Sequence, residues 1–399
     1  MNIETFTGAI LRKMTGIGKV QTRFFLSLCK LLLGLRGRYT FLNFGRYGSL
    51  NELSYRRQFE KDFDFRQFNE HLIAQCCSKA LSWVFDPSFL SKSGQRTPGV
   101  GYFWSGCAGA MKRGLEISGL ALADMVNHTA FHYHAVQTAA VKGEQNLLAW
   151  YTQVLLGQIE ALKKQSKILV VDAFFSKNGF IDALCAEGMT LVSRMRKDCY
   201  IRYAYTGEQK KGRGRPKTFG GKLNPKNVST EHFQLFAQSE KERLYEGRGH
   251  IRSLGRWCRI VVRQTLKDGQ VKQAFVYFST DETMSGEQVL AQYEIRFQIE
   301  FLYRDAKQHL GLNHCQSRQP EAIAFHINLS LTMLNLAKAL HWMPIAKESR
   351  PPFSMADIKT QYINEQLLDR LIRVYGKDPN VEKNNPDIRK IYDLGKIAA

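Results

Sequence analysis

The chain has 399 residues, 44% of them hydrophobic, which is enough to build a substantial core and suits roughly two or three domains. It carries 57 Lys and Arg residues against 36 Asp and Glu residues, a formal net charge of +21. An excess of that size indicates a polyanionic partner, which leaves nucleic acid and an anionic membrane as the two candidates.

A membrane partner is disfavoured by the most apolar stretch of the chain. That stretch, residues 24–35, contains Lys30 and is shorter than the roughly 20 apolar residues that cross a bilayer. The N-terminus carries Glu4 and lacks the small-residue cleavage site of a secretory signal. The eight cysteines form no Cys-x-x-Cys pair, which disfavours a zinc ribbon and a redox motif. We therefore expect a protein of the reducing cytoplasm with no membrane partner.

The N-terminal region, residues 1–78, is predicted to be helical. Helices are expected at 20–35, 49–59 and 65–76, and Ser49 with Glu52 would cap the second of these. Short helices joined by tight basic turns are typical of small DNA-binding units, although an ordinary helical subdomain has the same pattern. We assign this region as a helical DNA-binding region.

Residues 79–196 alternate between strand and helix patterns, which predicts an α/β fold. A short apolar run predicts a buried strand that ends at Asp86, and a second run predicts one that ends at Asp172. The other elements expected here are strands at 105–111, 115–123 and 190–195, a hairpin turn at 112–114, and helices at 147–164 and 177–187.

The second half of the chain changes character again. Residues 197–285 are basic and Gly-rich with alternating apolar runs, which predicts a β-rich insertion. A long helix is expected at 286–310 and an apolar helix at 322–340. Residues 346–399 are predicted to form a helical C-terminal tail.

Three carboxylates are the candidate chemical groups. Asp86 and Asp172 each follow a rigid strand, where ligand sites of α/β sheets are found, although turn aspartates are also common there. Glu300 lies on the long helix, and on an ideal helix Tyr293, Arg296 and Lys307 share a sector of about 60° with it. A solvated face with salt bridges has the same spacing. Asp124, which also ends an apolar run, is the rival for the first aspartate.

Together these residues suit phosphodiester chemistry. Three carboxylates can hold two divalent cations, and hard oxygen ligands select Mg²⁺ or Mn²⁺ over zinc. Arg296 and Lys307 would bind phosphates beside the metals, and Tyr293 would either donate to a phosphate oxygen or stack near the strand end.

Four ordered blocks of sequence resemble those of bacterial insertion-sequence DDE transposases. The spacing Tyr293-x2-Arg296-x3-Glu300-x6-Lys307 is similar to the Tyr-Arg-Glu-Lys signature of one subgroup, and residues 311–323 are similar to the stretch that follows it. Residues 86–94 and 170–177 resemble the first and second aspartate blocks. The resemblance runs from about residue 80 to 345 and is weaker in the N-terminal helices.

The resemblance implies a ribonuclease-H-like mixed sheet flanked by helices, built from 79–196 and 286–345, with the β-rich insertion before the glutamate helix. It also implies Asp86, Asp172 and Glu300 as catalytic residues and ligands of two Mg²⁺ ions. The implied activity is cut-and-paste transposition by a nucleoid-associated bacterial homodimer on paired inverted-repeat ends of double-stranded DNA. The alternatives are a ribonuclease-H-like nuclease that does not join ends, and a non-catalytic DNA-binding protein derived from a transposase.

Two further groups of residues suggest binding sites. Arg213, Arg215 and Lys217 lie in a Gly-rich basic stretch and are predicted to enter a DNA minor groove, although a solvated loop has the same composition. His128, His132 and His134 suggest a metal site by their spacing, but they lack an acidic or cysteine partner at a recognisable distance along the chain.

Overall fold

The computed structural model describes residues 2–140, 144–209, 215–382 and 384–397. The predicted α/β class is confirmed, because the described strands join into one mixed sheet of twelve strands flanked by helices. The strands are β1 (Leu81–Ser91), β2 (Gly101–Ser105), β3 (Ala110–Asp124), β4 (Thr129–Gln137), β5 (Ile168–Val170), β6 (Thr190–Arg194), β7 (Ile201–Ala204), β8 (Phe219–Lys222), β9 (Phe233–Gln238), β10 (Glu242–Ile251), β11 (Arg256–Lys267) and β12 (Gln270–Ser279).

Helices precede, flank and follow this sheet. They are α1 (Ile3–Leu11), α2 (Lys19–Gly34), α3 (Phe41–Tyr47), α4 (Glu52–Phe59), α5 (Phe65–Cys76), α6 (Glu144–Leu156), α7 (Ile159–Gln165), α8 (Asn178–Ala186), α9 (Gly286–Glu294), α10 (Phe297–His309), α11 (Pro320–His341), α12 (Met355–Val374), α13 (Pro379–Glu382) and α14 (Pro386–Asp393).

Five strands form the half of the sheet that carries the two aspartates, in the order β4-β3-β1-β5-β6. β3 is antiparallel to the whole of β1, and its first residues pair instead with β2, to which the hairpin turn connects it. β5 and β6 are parallel to β1, because helical crossovers connect them. The order places β1 and β5, which lead to Asp86 and Asp172, side by side.

The strands of the basic segment continue this sheet. β12 pairs antiparallel with β6, and the order then runs through β11, β10, β7 and β8. β9 pairs with β10 next to β7, on the edge of β10 opposite β11. The run Ile260, Val261 and Val262 on β11 is fully buried, as in a strand covered on both faces.

The N-terminal helices pack on α11 through aromatic side chains. Phe25 stacks on Phe63 with ring centroids 4.3 Å apart, and Phe59 lies 4.5 Å from Phe325 on α11. Among the described helices, α11 alone is long and apolar enough to cross a bilayer, but 89% of that apolar window is buried in the protein. Burial of that extent is typical of the central helix of a folded core.

Two strand predictions were wrong in their boundaries. β1 does not end at Asp86 but continues to Ser91, because β3 pairs with it from Leu81 onward. β3 is one strand rather than two, and the hairpin turn lies at 106–109. Gly114 is not in the predicted turn but lies on β3, where it pairs with both β1 and β2. A Cβ at this position would be 2.5 Å from the carbonyl oxygen of Leu90. The glycine therefore serves close strand packing.

Three helix predictions also need correction. α4 is capped by Asn51, whose side chain accepts a hydrogen bond from the Ser54 backbone, and not by Ser49. The helix predicted at 147–164 is broken at Gly157 into α6 and α7. The long helix predicted at 286–310 is broken into α9 and α10, since the amides of Gln298 and Ile299 bond three rather than four residues back.

Candidate active site

Asp86 on β1 and Asp172 just beyond the end of β5 occupy equivalent positions along two neighbouring parallel strands. Val84 is in register with Val170, and each aspartate follows two residues later in its own segment. β5 ends at Val170, so the two strands separate where the carboxylates lie. A gap of this kind beside the end of a strand is a favoured ligand site in α/β sheets.

The Asp172 carboxylate is fixed by the turn that follows β5. It caps a 3₁₀ turn, Ala173–Phe175, by accepting a 2.9 Å hydrogen bond from the Phe174 amide. The Ser193 hydroxyl donates to the Asp172 carbonyl at 2.9 Å and ties this turn to β6. Asp172 is therefore held rigidly with one carboxylate oxygen engaged locally.

Arg296 links the strand aspartate to the helix glutamate. Its guanidinium lies 2.7 Å from Glu300 and 3.6 Å from Asp86, and its side chain is only 9% exposed. The tightened turn between α9 and α10 sets Arg296 immediately before the first turn of α10. The Arg296 Nε atom is buried without a hydrogen-bond partner in the described part of the chain. The guanidinium therefore retains one buried donor that is not satisfied within the described residues.

Burial and crowding of like charges perturb both aspartates. Burial raises the pKa of Asp86 to about 8, the Arg296 guanidinium opposes this shift, and the carboxylates of Asp172 and Glu300 add to it. Burial also raises the pKa of Asp172, against the hydrogen bond from Phe174 and the charge of Arg296. Perturbation of this kind is typical of functional sites.

Tyr303 holds α10 against β1. Its hydroxyl donates a 2.6 Å hydrogen bond to the Asp86 carbonyl, and its ring lies over Gly119, which is the residue paired with Asp86 across the strands. A Cβ on Gly119 would come within 1.9 Å of the Tyr303 hydroxyl oxygen. The spacing between Glu300 and Asp86 therefore depends on a phenol and on the absence of a side chain beneath it.

The other two signature residues lie on either side of the acidic centre. The Lys307 ammonium donates to the Ser88 hydroxyl at 2.9 Å, and burial lowers the Lys307 pKa. The Tyr293 ring is buried with its centre 5.0 Å from that of Tyr277 on β12, and the Arg296 guanidinium carbon lies 5.8 Å from the Tyr293 ring centre. The structure therefore brings Lys307 and Tyr293 near the carboxylates, but with Tyr293 packed inside rather than on an open face.

The donors at this centre fit a divalent cation. Carboxylates supply the hard oxygens that Mg²⁺ and Mn²⁺ prefer. Burial first, and the neighbouring carboxylates after it, raise the pKa of Asp86 although the Arg296 guanidinium opposes the shift. Through the described ranges, no three Asp, Glu, His or Cys side chains converge closely enough to form a complete metal-binding group. Asp86 and Asp172 are a partial donor set, and Glu300 is linked to it through Arg296.

Asp124, the rival first aspartate, has a structural role in the turn between β3 and β4. Its carboxylate accepts hydrogen bonds from Ser78, Val126 and Asn127. Burial opposes ionisation, but the hydrogen bonds from Asn127 and Ser78 outweigh it and lower the Asp124 pKa. Asp124 pairs with Leu81 at the far end of β1 from Ser91, so it lies away from Asp86.

The three histidines are not brought together. His132 is buried, with its ring 3.1 Å from the Asn328 side chain, whereas His128 lies in the turn before β4. The i,i+4 spacing of His128 and His132 brings side chains together on a helix, whereas the structure here is a turn followed by a strand.

The basic stretch lies between β7 and β8. Arg213 falls outside the described residues. Arg215 and Lys217 are exposed, and the Lys217 ammonium lies 4.9 Å from the centre of the Tyr205 ring. Neither side chain contacts the carboxylate centre.

Sequence reasoning missed Tyr303, Ser88 and Glu116. Glu116 is buried on β3, accepts a hydrogen bond from Tyr151, and contributes to the raised pKa of Asp86. Tyr303 lies one helical turn after Glu300, and Ser88 lies two residues after Asp86 on β1. Helix and strand periodicity therefore place each of them on the same face as the neighbouring carboxylate. Their partners could not be found without the register of β1 against β3.

A profile of the family described as Transposase DDE domain matches residues 96–336, which is more than half of the chain. The matched range contains Asp172, Arg296 and Glu300, whereas Asp86 precedes it. The mixed sheet described above is consistent with a ribonuclease-H-like domain of this family. No curated protein matches the chain.

Proposed function

We propose that this chain, which belongs to the transposase DDE domain family, cleaves DNA at the ends of a mobile element and joins those ends to target DNA. The proposal rests on one observation: Asp86 and Asp172 each lie two residues beyond a pair of residues in register on β1 and β5, and Arg296 links Asp86 to Glu300. We assign the chain to the subgroup with the Tyr-Arg-Glu-Lys signature on the spacing of Tyr293, Arg296, Glu300 and Lys307.

Asp86, Asp172 and Glu300 are the catalytic carboxylates of this proposal and would hold two Mg²⁺ ions, or Mn²⁺ in their place. When bound, such ions lower the pKa of the attacking hydroxyl and stabilise charge on the leaving oxygen. The raised pKa of Asp86 means that its carboxyl releases a proton when a cation binds, so loading of the site is expected to depend on pH.

Arg296 and Lys307 would position the scissile phosphate. Arg296 has an unused Nε donor beside the carboxylates, and Lys307 lies next to Ser88, two residues along β1 from Asp86. Tyr303 and Gly119 act as positioning residues that keep Glu300 at a fixed distance from β1. Preorganised cations of this kind stabilise the extra charge of the phosphoryl transition state without reorganising.

The proposed reaction has two steps. Water attacks a phosphodiester at the element's end, which breaks one P–O bond and leaves a 3′-hydroxyl and a 5′-phosphate. That 3′-hydroxyl then attacks a target phosphodiester, forms a new P–O bond and releases a target 3′-hydroxyl. Cut-and-paste movement by a homodimer on paired inverted-repeat ends follows from the family resemblance, as does a cytoplasmic, nucleoid-associated location.

The other assignments extend the same proposal. Residues 79–196 and 286–345 would form the catalytic domain, 197–285 the basic insertion, and 346–399 the C-terminal tail. Residues 1–78 would bind the ends of the element, and Arg213, Arg215 and Lys217 would enter a minor groove of the bound double-stranded DNA.

A strand-transfer assay tests the proposal against its two alternatives. Duplexes ending in the inverted repeat that flanks the gene, supplied pre-cut with a 3′-hydroxyl, should be joined to plasmid DNA in Mg²⁺. Cleavage of uncut ends without joining of pre-cut ends would indicate a nuclease. Tight end binding without either reaction would indicate a non-catalytic DNA-binding protein.

A further inference from the structure

A basic groove outside the carboxylate centre runs between the N-terminal helices and the loop that follows α10. It consists of two adjoining depressions of about 500 and 380 Å³, whose linings share Arg38. No acidic residue is among those that line either depression, and all of them lie in the described ranges. We call it the Arg38 groove, and the cationic residues that line it are Arg36, Arg38, Arg46, Lys92 and Arg318.

The four guanidinium groups of the groove are available to a ligand. Each of these arginines is exposed, and none is ion-paired with a carboxylate of the described chain. Lys92 differs, because its ammonium donates to the carbonyls of Cys315 and Ser317 and so joins the end of β1 to the opposite wall. The groove therefore concentrates positive charge that the protein itself does not neutralise.

Contacts of a buried tyrosine hold the N-terminal wall of the groove against the wall formed by the loop after α10. Tyr39, which follows Arg38, is buried, with its hydroxyl oxygen 2.8 Å from the Leu32 carbonyl and 2.9 Å from the His309 carbonyl. Gly311 has a φ of +66°, and a Cβ there would lie 2.5 Å from Tyr39 atoms. The Arg36–Arg38 loop is thus held against the end of α10, which preorganises its cations and lowers the entropy cost of binding.

β1 connects the groove to the carboxylate centre. Asp86 and Ser88 lie on this strand, and Lys92 follows its last residue, six positions beyond Asp86. At about 3.3 Å per residue this is roughly 20 Å, the rise of about six base pairs of duplex DNA. Lys307, bonded to Ser88, lies along the way.

We propose that the Arg38 groove binds the sugar-phosphate backbone of duplex DNA about six base pairs from the scissile phosphate. The proposal rests on the proposed function, since it takes the phosphate at Asp86 as its reference point. Unpaired guanidinium groups in a concave surface suit successive phosphates, and the lining suits backbone contact rather than reading of bases. The groove would therefore orient DNA without selecting its sequence.

Arg38→Ala/Arg318→Ala in the full chain tests the groove, with Arg370→Ala/Arg373→Ala as the control that removes the same charge from exposed positions on α12. Binding is measured by anisotropy on hairpin-capped duplexes with arms of about 4 or 15 base pairs on each side of the scissile position. The groove variant should bind long-armed DNA roughly tenfold more weakly, with a salt slope reduced by one to two. The affinity of the groove variant for short-armed DNA, which does not reach the groove, should equal that of the unsubstituted chain.

Equal losses on short and long arms, no loss on either, or an equal loss in the control would overturn the proposal. Phosphate ethylation gives a second measurement, because modification about six base pairs from the scissile position should weaken binding of the unsubstituted chain only. Loss of binding to anionic vesicles with DNA binding unchanged would instead assign the groove to a membrane. If the unsubstituted chain shows the arm-length effect but cleaves nothing, the proposed reaction fails and the groove stands.

Discussion

The Tyr303 hydroxyl donates to the backbone carbonyl of Asp86 at 2.6 Å, directly over Gly119. This bond joins the helix that carries Glu300 to the strand that carries Asp86, at the residue that provides the carboxylate itself. Because β1 and β3 are paired through this point, α10 can approach only where β3 lacks a side chain. The geometry of the carboxylate centre therefore depends on two residues that have no proposed contact with DNA.

Tyr303→Phe should lower the cleavage rate about tenfold while leaving end binding within a few-fold, because removing a positioning hydrogen bond disturbs the reacting geometry. Gly119→Ala should be more damaging, since the new methyl overlaps the hydroxyl oxygen of Tyr303. The Gly119→Ala/Tyr303→Phe double variant should be more stable than Gly119→Ala alone, because it removes the atom that overlaps most and leaves the ring carbon Cζ 2.9 Å from the new methyl. Thermal melts and the Mg²⁺ concentration for half-maximal cleavage measure these effects, and independent, additive effects of the two substitutions would contradict this interaction.

Neutral isosteres test the three carboxylates. Asp86→Asn, Asp172→Asn and Glu300→Gln should each reduce cleavage by several orders of magnitude and leave end binding intact, because oxygen ligands are removed while negative charge near DNA decreases. Asp124→Asn is the control and should reduce stability instead, since its carboxylate accepts backbone hydrogen bonds. The lowered Asp124 pKa implies stabilisation that is full above about pH 4 and lost on further acidification. A catalytic defect confined to Asp124→Asn would reverse the assignment.

The pH dependence of stability should report the Asp86 carboxyl. Its pKa is raised from about 4 in the unfolded chain to about 8, so the stabilisation is full below pH 4 and lost as pH rises through 8. In EDTA at pH 9, Asp86→Asn should therefore melt a few degrees above the unsubstituted chain. Mg²⁺ should raise the melting temperature of the unsubstituted chain more at pH 9 than at pH 6. It should raise the melting temperature of Asp86→Asn much less at either pH. Identical melting shifts at both pH values would contradict this.

Periodicity predicted the isolated elements of the fold and missed what depends on neighbours. The helix at 65–76 was predicted to the residue, because an aspartate cap and an amphipathic pattern define it locally. The end of β1 was misplaced because Asp86-Pro87-Ser88 breaks the apolar run, while pairing with β3 carries the strand onward. The break at Arg296 was missed because both halves of 286–310 are good helix formers.

For the site, the sequence predicted which carboxylates to consider but not how they are joined. Strand-end position indicated Asp86 and Asp172, and helix spacing indicated Glu300. The angular positions expected on one straight helix could not show that Arg296 lies between Asp86 and Glu300. Nor could it show that Tyr293 is buried against Tyr277. The assignment of Asp86, Asp172 and Glu300 as catalytic residues and metal ligands stays a prediction.

The proposed DNA contact of the loop between β7 and β8 can be tested by the salt dependence of DNA binding. Arg215→Ala/Lys217→Ala should weaken binding to duplex DNA and reduce the slope of log affinity against log salt by about 0.9 for each phosphate that is no longer neutralised. Both side chains are exposed, so folding should be unaffected. The weakening should be greater on A·T-rich duplexes, whose narrow minor groove attracts arginine. An unchanged slope would leave this stretch as a solvated loop.

The last prediction separates Arg296 from its neighbour Arg304. Arg296 lies between two carboxylates of the centre, whereas Arg304 is half-exposed and bonds Asp305. Arg296→Ala should lower the cleavage or strand-transfer rate by one or more orders of magnitude, with end binding within a few-fold, because many other cations share non-specific binding. Lys307→Ala should behave similarly, since its ammonium lies beside Ser88 on β1.

Arg304→Ala is the matched control, because it removes the same charge two turns further along, on α10 itself, and should leave both rates nearly unchanged. Arg296→Lys sharpens the comparison, since lysine keeps the charge but loses the planar fork that reaches Asp86 and Glu300 together. We expect it to recover little of the rate, which single-turnover cleavage at saturating protein would measure. Should Arg304→Ala abolish cleavage while Arg296→Ala and Lys307→Ala do not, this helix presents a generic basic surface, and the match to the signature spacing is coincidental.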